Sequence, residues 1–259
     1  METAETMSRE ATVVRTWYDD DSFWNCFGRA AFTEERFARA HFEVDRILRF
    51  LPDVRPPALV VDFGCGPGRH SLDLARRGYH VTAVDRTHRF LATLRTRATA
   101  ERLPVATIRA DLLQCELAPR QFALALCIGL TFGYYEDADN ARLLRNFVRV
   151  LSPGAALILD APTPTWAARD GDWFIVSRSD LNALVERVPT RAYRVRERWT
   201  VRGRAGDREF LFDQRVYTPD ELEALLRDAG FRKVQTFSDV LGRPLRSDAR
   251  KTVAVAIAP

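Results

Sequence analysis

Lysine is nearly absent from this 259-residue chain: Lys233 and Lys251 are the only lysines, although lysine and arginine together number 39. The arginines are scattered among 35 acidic residues, and the net charge is only +4. Proteins that bind nucleic acids usually concentrate basic residues on one face. The charge pattern therefore disfavours a nucleic-acid partner.

Cysteine is also scarce, with Cys26, Cys65, Cys115 and Cys127 as its four occurrences. They form no C-x-x-C pair, and no histidine lies at zinc-ligand spacing, so we expect reduced thiols and no metal site. The first ten residues, METAETMSRE, lack the basic and apolar regions of a secretory signal. Nothing approaches the ~20 apolar residues of a membrane span, and these features predict a soluble cytoplasmic protein.

Strand-like and helix-like segments alternate through the middle of the chain. This alternation is typical of an α/β fold with a doubly wound, Rossmann-like, mostly parallel sheet. Strands are predicted at 58–63, 80–84, 105–110, 122–128 and 155–160, and helices at 69–77, 88–100 and 138–151. The hydrophobic fraction of 46% is ordinary for a single folded domain.

The alternation breaks between residues 161 and 217, where we expect an insert. A short helix is predicted near Ser179 to Glu186, followed by two alternating runs at 192–201 and 209–216. Gly203 and Gly206 between these runs favour the turn of a β-hairpin. A capped helix from Thr218 to Gly230 and strands at 232–238 and 252–258 complete the prediction.

The N-terminal region is rich in aromatic residues between positions 13 and 32 and continues as an amphipathic helix from Thr33 to Leu48. We expect residues 1–12 to be frayed. Residues 1–54 are predicted to form a helical cap, and residues 55–259 the main domain with its insert at about 161–217.

The segment Ala58 to His70, ALVVDFGCGPGRH, is the most informative part of the sequence. An apolar strand ends near Asp62, and Gly64, Gly66 and Gly68 alternate before a helix begins. Glycines at this spacing permit a tight turn and the close approach of a ligand, and the helix N-terminus favours a negatively charged group. A small ligand bearing a carboxylate or another anion is predicted here.

Two ligand classes use such a turn. The dinucleotide fingerprint G-x-G-x-x-G needs a glycine where this chain has Arg69, which disfavours a nicotinamide or flavin. Asp62-x-Gly64-x-Gly66-x-Gly68 instead resembles the first motif of the class I S-adenosylmethionine-dependent methyltransferases. In that family a second acid ends the next strand, as Asp85 does here.

The resemblance covers roughly residues 55–259 and implies seven strands, the last antiparallel, with the hairpin insert after strand 5 acting as a lid. The segments WYDDDSFW, GRHSLDLARRG, TFGYYED and DREFLFDQRVYTPDELEALLRDAGF are similar to a group of bacterial small-molecule methyltransferases. Members of that group share a cofactor but differ in their acceptors.

The resemblance also implies cofactor contacts. Asp62 orients the turn, and Asp85 accepts from the ribose hydroxyls. The turn from Gly64 to Gly68, with Cys65 and Gly66, lines the methionine portion. The adenine is assigned to Asp111 and Leu112, and the backbone at Ile128 and Gly129 receives the methionine ammonium. Arg86 lies over the adenine or is simply solvated, and Tyr18 and Trp24 complete the predicted cofactor site.

The acceptor is expected above the strand ends, between the N-terminal segment, residues 130–135 and the lid. The catalytic candidates are His70, as a general base, and Tyr134; His41 and Asp160 are weaker alternatives. Several aromatic candidates fit the core of the lid equally well, and Arg215 with Tyr217 fits a solvated pair equally well. The predicted acceptor-binding residues are Phe23, Phe27, Phe132, Tyr134, Trp166, Arg215 and Tyr217.

The expected function is methyl transfer from S-adenosylmethionine, giving S-adenosylhomocysteine, to an N, O or C atom of a small molecule in natural-product metabolism. The expected assembly is a monomer or homodimer. An RNA or protein methyltransferase is one rival, disfavoured because Gly129 to Tyr135 lacks an Asn/Asp-Pro-Pro-Tyr motif. A second rival is a protein that binds S-adenosylmethionine for regulation or for a reaction other than methylation.

Overall fold

The computed structural model describes residues 17–168, 173–178, 181–187, 193–202 and 207–259. The predicted frayed segment 1–12 and the turn glycines Gly203 and Gly206 lie outside these residues. The 3₁₀ turn Trp17–Asp19 precedes seven described α-helices. These are α1 (Asp21–Ala31), α2 (Glu34–Arg49), α3 (Arg69–Arg76), α4 (His88–Ala100), α5 (Asp137–Val150), α6 (Pro164–Ala167) and α7 (Pro219–Asp228).

The main sheet has seven strands in the order β10-β11-β5-β4-β1-β2-β3. β11 runs antiparallel to both of its neighbours, and the other adjacent pairs are parallel. This confirms the predicted sheet and its antiparallel last strand. The strands are β1 (Leu59–Phe63), β2 (His80–Asp85), β3 (Val105–Arg109), β4 (Phe122–Cys127), β5 (Leu151–Pro162), β10 (Lys233–Phe237) and β11 (Lys251–Ile257).

Helices cover both faces of this sheet. On one face, Phe147 of α5 and Leu222 of α7 pack with buried strand residues such as Leu157. On the other face, Val44 and Ile47 of α2 pack against the strands. Since both faces are apolar, the central strands read as continuous apolar runs, which is why the sequence predicted them well.

The insert forms a second sheet of four antiparallel strands, β6 (Trp173–Arg178), β7 (Leu181–Arg187), β8 (Arg194–Val201) and β9 (Arg208–Arg215), in that order. We call it the lid sheet. The hairpin prediction is confirmed for β8 and β9, but the lid has two strands more than the predicted hairpin.

The predicted helix near Ser179 to Glu186 is wrong, because Leu181–Arg187 is strand β7. Leu181, Ala183 and Val185 alternate with more exposed residues and are buried in a cluster with Trp17 and Phe23. Pairing on both edges with β6 and β8 outweighs the weak helix propensity of LNALVER.

No helix among the described residues is long and apolar enough to cross a membrane. The predicted division of the chain at residue 54 stays a prediction.

Candidate functional site

The glycine turn begins where β1 ends, at the carboxyl edge of the parallel sheet. Gly64, Gly66 and Gly68 have φ values of +66°, +55° and +85°, a region that disfavours side chains. A Cβ on Gly68 would lie 2.3 Å from Leu94 Cδ1, and one on Gly64 would lie 2.5 Å from Thr131 Cγ2. The turn therefore requires glycine for both its conformation and its packing.

Asp85 at the end of β2 ties the neighbouring strand to this turn. Its Oδ2 accepts from the Gly66 N–H at 2.8 Å, and its Oδ1 accepts from the Thr87 N–H at 2.8 Å. A carboxylate offers about four acceptor positions, so Asp85 retains acceptor capacity beyond these two bonds. Burial raises the pKa of Asp85, and a pair of hydroxyl donors would offset that desolvation.

Asp62 lies beneath the turn and is buried. Its Oδ2 accepts from the Ser71 hydroxyl at 2.6 Å, which links the end of β1 to the first turn of α3. Cys65 in the turn is buried, and burial raises the pKa of its thiol well above the ordinary value. The thiol is therefore protonated and unreactive, consistent with a filling role.

Asp111, which follows β3, is the centre of a polar cluster at one end of the site. Its Oδ1 accepts from the Leu113 N–H at 2.8 Å and from the Tyr135 hydroxyl at 3.1 Å. Arg86 Nη1 lies 3.1 Å from Asp111 Oδ2 and 2.5 Å from Asp19 Oδ1. Arg86 thus joins the N-terminal segment to this cluster.

His70 in the first turn of α3 is buried and lies in the cavity wall. Its Nε2 is 2.9 Å from Glu43 Oε2, and Arg69 also pairs with Glu43. Burial and the charge of Arg69 lower the pKa of His70, so the imidazole is neutral at physiological pH. Glu43, on α2, was not among the predicted site residues.

The Glu43 carboxylate should make the free energy of unfolding depend on pH in the acidic range. Burial alone would raise its pKa, but the hydrogen bond with His70 and the charge of Arg69 lower it from 4.5 to about 2. Its stabilising contribution is therefore complete above pH ~5 and is lost as the pH falls toward 2. We expect Glu43→Gln to reduce the loss of stability between pH 5.5 and 3.5 by on the order of 1 kcal/mol, after allowing for partial exposure.

Denaturant unfolding at the two pH values measures this effect, and Glu209→Gln, at an exposed position of β9, is the matched control. An unchanged pH dependence in Glu43→Gln would contradict the pairing.

These elements enclose a cavity of about 1090 Å³ above the strand ends. The structure brings most of the predicted site residues to its wall. Those lining it are Tyr18, Trp24, Phe27, Asp62, Gly64, Cys65, Gly66, His70, Asp85, Arg86, Asp111, Leu112, Ile128, Gly129, Tyr134 and Trp166. Their individual roles stay predictions.

Four predicted acceptor-binding residues do not line the described cavity. Phe132 and Tyr217 pack against each other in the buried core, with ring centroids 5.2 Å apart and an interplanar angle of 31°. Phe23 is buried between the N-terminal segment and the lid sheet. Arg215 forms ion pairs with Asp137 and Glu221. Core packing explains the positions of the three aromatic side chains, and ion pairs explain that of Arg215.

The cavity wall also contains residues that the sequence did not single out for it, including Glu43, Trp199 and Lys251. Asp160, previously a weak candidate base, lies there as well and binds Lys251 Nζ at 2.7 Å. Lys251 and Glu43 lie far from the glycine turn in sequence and carry no local motif. Within the described residues, no group of three or more His, Cys, Asp or Glu side chains is placed to hold a metal ion.

Comparison with known proteins identifies the class. Residues 60–154 match the model of the methyltransferase domain family. The matched segment contains the glycine turn, Asp85, Asp111 and the loop after β4. These residues form a methyltransferase domain of the class I, S-adenosylmethionine-dependent kind, which confirms the predicted class and cofactor.

Two curated relatives show the extent of the similarity. The chain is 23% identical over 196 residues to a putative methyltransferase, YqeM, of Bacillus subtilis, covering 70% of this chain and 76% of that protein. It is 33% identical over 115 residues to a carboxy-S-adenosyl-L-methionine synthase of Pseudomonas paraeruginosa, covering 40% of this chain and 44% of that protein. The second match thus spans less than half of either protein.

Solved structures share the fold over nearly the whole chain. The CcbJ methyltransferase from Streptomyces caelestis has a TM-score of 0.77 at 19% identity and covers 95% of this chain and 99% of its own. CalS10, an amino pentose methyltransferase from Micromonospora echinaspora involved in calicheamicin biosynthesis, has a TM-score of 0.62 at 22% identity, with coverage of 92% and 96%.

The cavity suits S-adenosylmethionine chemically. Asp85 has acceptor capacity for ribose hydroxyls, Asp111 can accept from an adenine amino group, and the Ile128 and Gly129 backbone borders the space near the glycine turn. The glycine turn leaves no room for added side chains. This donor and acceptor set fits an adenosyl group joined to an amino acid.

Proposed function

We propose that this methyltransferase acts on a small molecule, methylating an N, O or C atom of an acceptor held above the carboxyl edge of the sheet. The observation that carries the proposal is the cavity of about 1090 Å³, walled by aromatic side chains from separate parts of the chain. Trp24 and Phe27 come from α1, Tyr134 from the loop after β4, and Trp166 and Trp199 from the insert.

The volume supports a second, small ligand beside the cofactor. Pockets for one drug-sized ligand have about 300–1,000 Å³, and the volume of this cavity, about 1090 Å³, is slightly above that range. Because the N-terminal segment and the lid sheet pack together through Trp17, Phe23 and Val185, they cover part of the acceptor space. A covered aromatic pocket favours a compact acceptor over a polymer.

Structural similarity to an amino pentose methyltransferase of a natural-product pathway supports amines as the first acceptors to test. The aromatic walls support the same choice, since aromatic faces attract positively charged groups.

When bound, S-adenosylmethionine supplies a methyl group activated by a sulfonium. The protein has to hold the acceptor in line with that methyl and exclude water. The packed cap and lid provide the cover, and Trp24, Phe27 and Tyr134 provide surfaces to orient the acceptor. An acceptor that arrives protonated needs a base in addition.

His70 is the better of the two predicted candidates for that base. Its lowered pKa keeps the imidazole neutral and able to accept a proton. Burial, with a further contribution from Asp85, raises the pKa of Tyr134 far above its ordinary value, so its phenol stays protonated. Tyr134 is better suited to orient the acceptor than to remove a proton.

We expect His70→Ala to lower turnover by roughly 10²–10⁴-fold, the usual contribution of a general base, and to leave S-adenosylmethionine affinity near that of the wild type. Turnover of a methylated acceptor and calorimetric titration measure the two quantities. His41→Ala is the matched control, because His41 pairs with Asp73 and is mostly exposed. Loss of both turnover and affinity would make His70 a structural or cofactor-binding residue.

The proposal is tested by incubating the protein with methyl-labelled S-adenosylmethionine and separate pools of small amines, phenols, bulk RNA and unfolded protein. Label in a small molecule together with release of S-adenosylhomocysteine supports it. Label confined to RNA or protein would overturn it, and consumption of the cofactor without S-adenosylhomocysteine would indicate a reaction other than methylation. Titration with NADH checks the nucleotide class, and no binding is expected.

A further inference from the structure

The loop after β4, residues 128–134, borders the cavity between the glycine turn and the lid sheet. Thr131 contacts the turn, since a Cβ on Gly64 would lie 2.5 Å from Thr131 Cγ2. Gly129 and Leu130 have φ values of +111° and +64°. A leucine adopts that left-handed conformation only when its surroundings enforce it.

Asp160 of β5 supplies the enforcing contacts. Its Oδ1 accepts from the Gly129 N–H at 2.8 Å and from the Leu130 N–H at 2.7 Å. In a trans peptide the C=O points opposite to the following N–H. The carbonyls of Ile128 and Gly129 therefore point away from Asp160.

Lys251 holds the other carboxylate oxygen, with Nζ 2.7 Å from Asp160 Oδ2. It reaches Asp160 diagonally across the pair of β5 and β11, in which Asp160 faces Val253. Asp160 is fully buried, and a buried carboxylate needs both a counter-ion and hydrogen-bond donors. With Oδ2 bound to Lys251, Oδ1 remains directed at the loop.

Gln214 of β9 forms hydrogen bonds with carbonyl groups of the same loop. Its Nε2 donates to the Leu130 carbonyl at 2.6 Å and to the Phe132 carbonyl at 3.0 Å. The loop is thus held through N–H groups by the main sheet and through C=O groups by the lid sheet. The Ile128 and Gly129 carbonyls, which point away from Asp160, are not among the carbonyls that Gln214 binds.

We infer that Asp160, backed by Lys251, is a positioning residue that directs the Ile128 and Gly129 carbonyls toward the ammonium of the cofactor's amino-acid portion. An ammonium has three donors and requires acceptors of this kind. The inference rests on the S-adenosylmethionine site of the proposed function and is independent of the acceptor.

The test compares two ligands that share the adenosine portion. S-adenosylhomocysteine carries the amino-acid portion, and 5′-methylthioadenosine lacks it. We expect Asp160→Asn to weaken S-adenosylhomocysteine by about 10-fold or more, the effect of disturbing a hydrogen bond to a charged group. Affinity for 5′-methylthioadenosine should stay within about 2-fold of the wild type, because no hydrogen bond to its adenosine portion is altered.

Asp53→Asn makes the same change at an exposed turn and should alter neither affinity. Lys251→Met keeps the carboxylate and removes a partly exposed partner, so it provides a second variant if Asp160→Asn fails to fold. Lys251→Met should weaken the binding of S-adenosylhomocysteine by about 3-fold and leave the binding of 5′-methylthioadenosine unchanged.

Equal weakening of both ligands, or unchanged binding of S-adenosylhomocysteine, would overturn the inference. Failure to methylate any small molecule would overturn the proposed acceptor class without changing this comparison.

Discussion

Asp85→Ala is expected to weaken S-adenosylmethionine binding by roughly 1.5–3 kcal/mol, the usual value of a hydrogen bond to a charged group. In the structure this carboxylate accepts from the Gly66 and Thr87 N–H groups and borders the cavity. The substitution removes the predicted acceptor for the ribose hydroxyls and the tie between β2 and the glycine turn. Calorimetric titration of the purified variant measures the change.

The affinity of Asp85→Asn for S-adenosylmethionine should lie between those of the wild type and Asp85→Ala, because asparagine keeps the size of the side chain and one acceptor oxygen. Asp53→Ala, at an exposed turn, controls for the loss of a carboxylate elsewhere. Unchanged affinity in Asp85→Ala would remove Asp85 from the cofactor site.

Gly133→Ala is expected to destabilise the protein by about 2–5 kcal/mol. Gly133 has a φ of +102°, and a Cβ there would lie 2.5 Å from the Arg215 carbonyl oxygen. The left-handed conformation costs roughly 1–2 kcal/mol for a residue with a side chain, and forcing apart two backbones adds about 1–3 kcal/mol. The Arg215 N–H also donates to the Gly133 carbonyl at 2.8 Å, so the clash falls where the lid sheet joins the loop after β4.

Gly154→Ala is the matched control. Gly154 has a φ of +77°, and a Cβ there would meet nothing within 4 Å, so only the conformational cost of about 1–2 kcal/mol applies. Denaturant unfolding compares the two variants. Equal destabilisation by Gly133→Ala and Gly154→Ala would mean that the backbones of Gly133 and Arg215 are not in close contact.

The part of the cavity wall that we assign to the cofactor was predictable from the sequence because its signals are local. The run from Asp62 to Gly68 carries the strand, the turn and the helix start within a few residues, and Asp85 ends the next apolar run. A parallel sheet places successive strand ends at the same edge. Asp111 and Gly129, which the family resemblance assigned to the cofactor, follow β3 and β4 and lie at the cavity wall.

The part of the wall that we propose for the acceptor was less predictable. Phe23, Phe132 and Tyr217 are aromatic residues in the expected regions, but burial in the core and burial beside a ligand leave the same sequence signal. The lid sheet shows the same limit of prediction from local sequence. Residues 181–187 form a strand because they pair with β6 and β8, which are separate segments of the chain.

The sequence by itself determined the parallel sheet, the glycine turn and the two carboxylates Asp62 and Asp85, since each depends on the order of neighbouring residues. Only the tertiary structure decided the partners of His70 and Asp160. Glu43 reaches His70 from α2, and Lys251 reaches Asp160 across 91 positions of the chain. Such pairs depend on how helices and strands pack, and the local sequence around one partner does not predict the other.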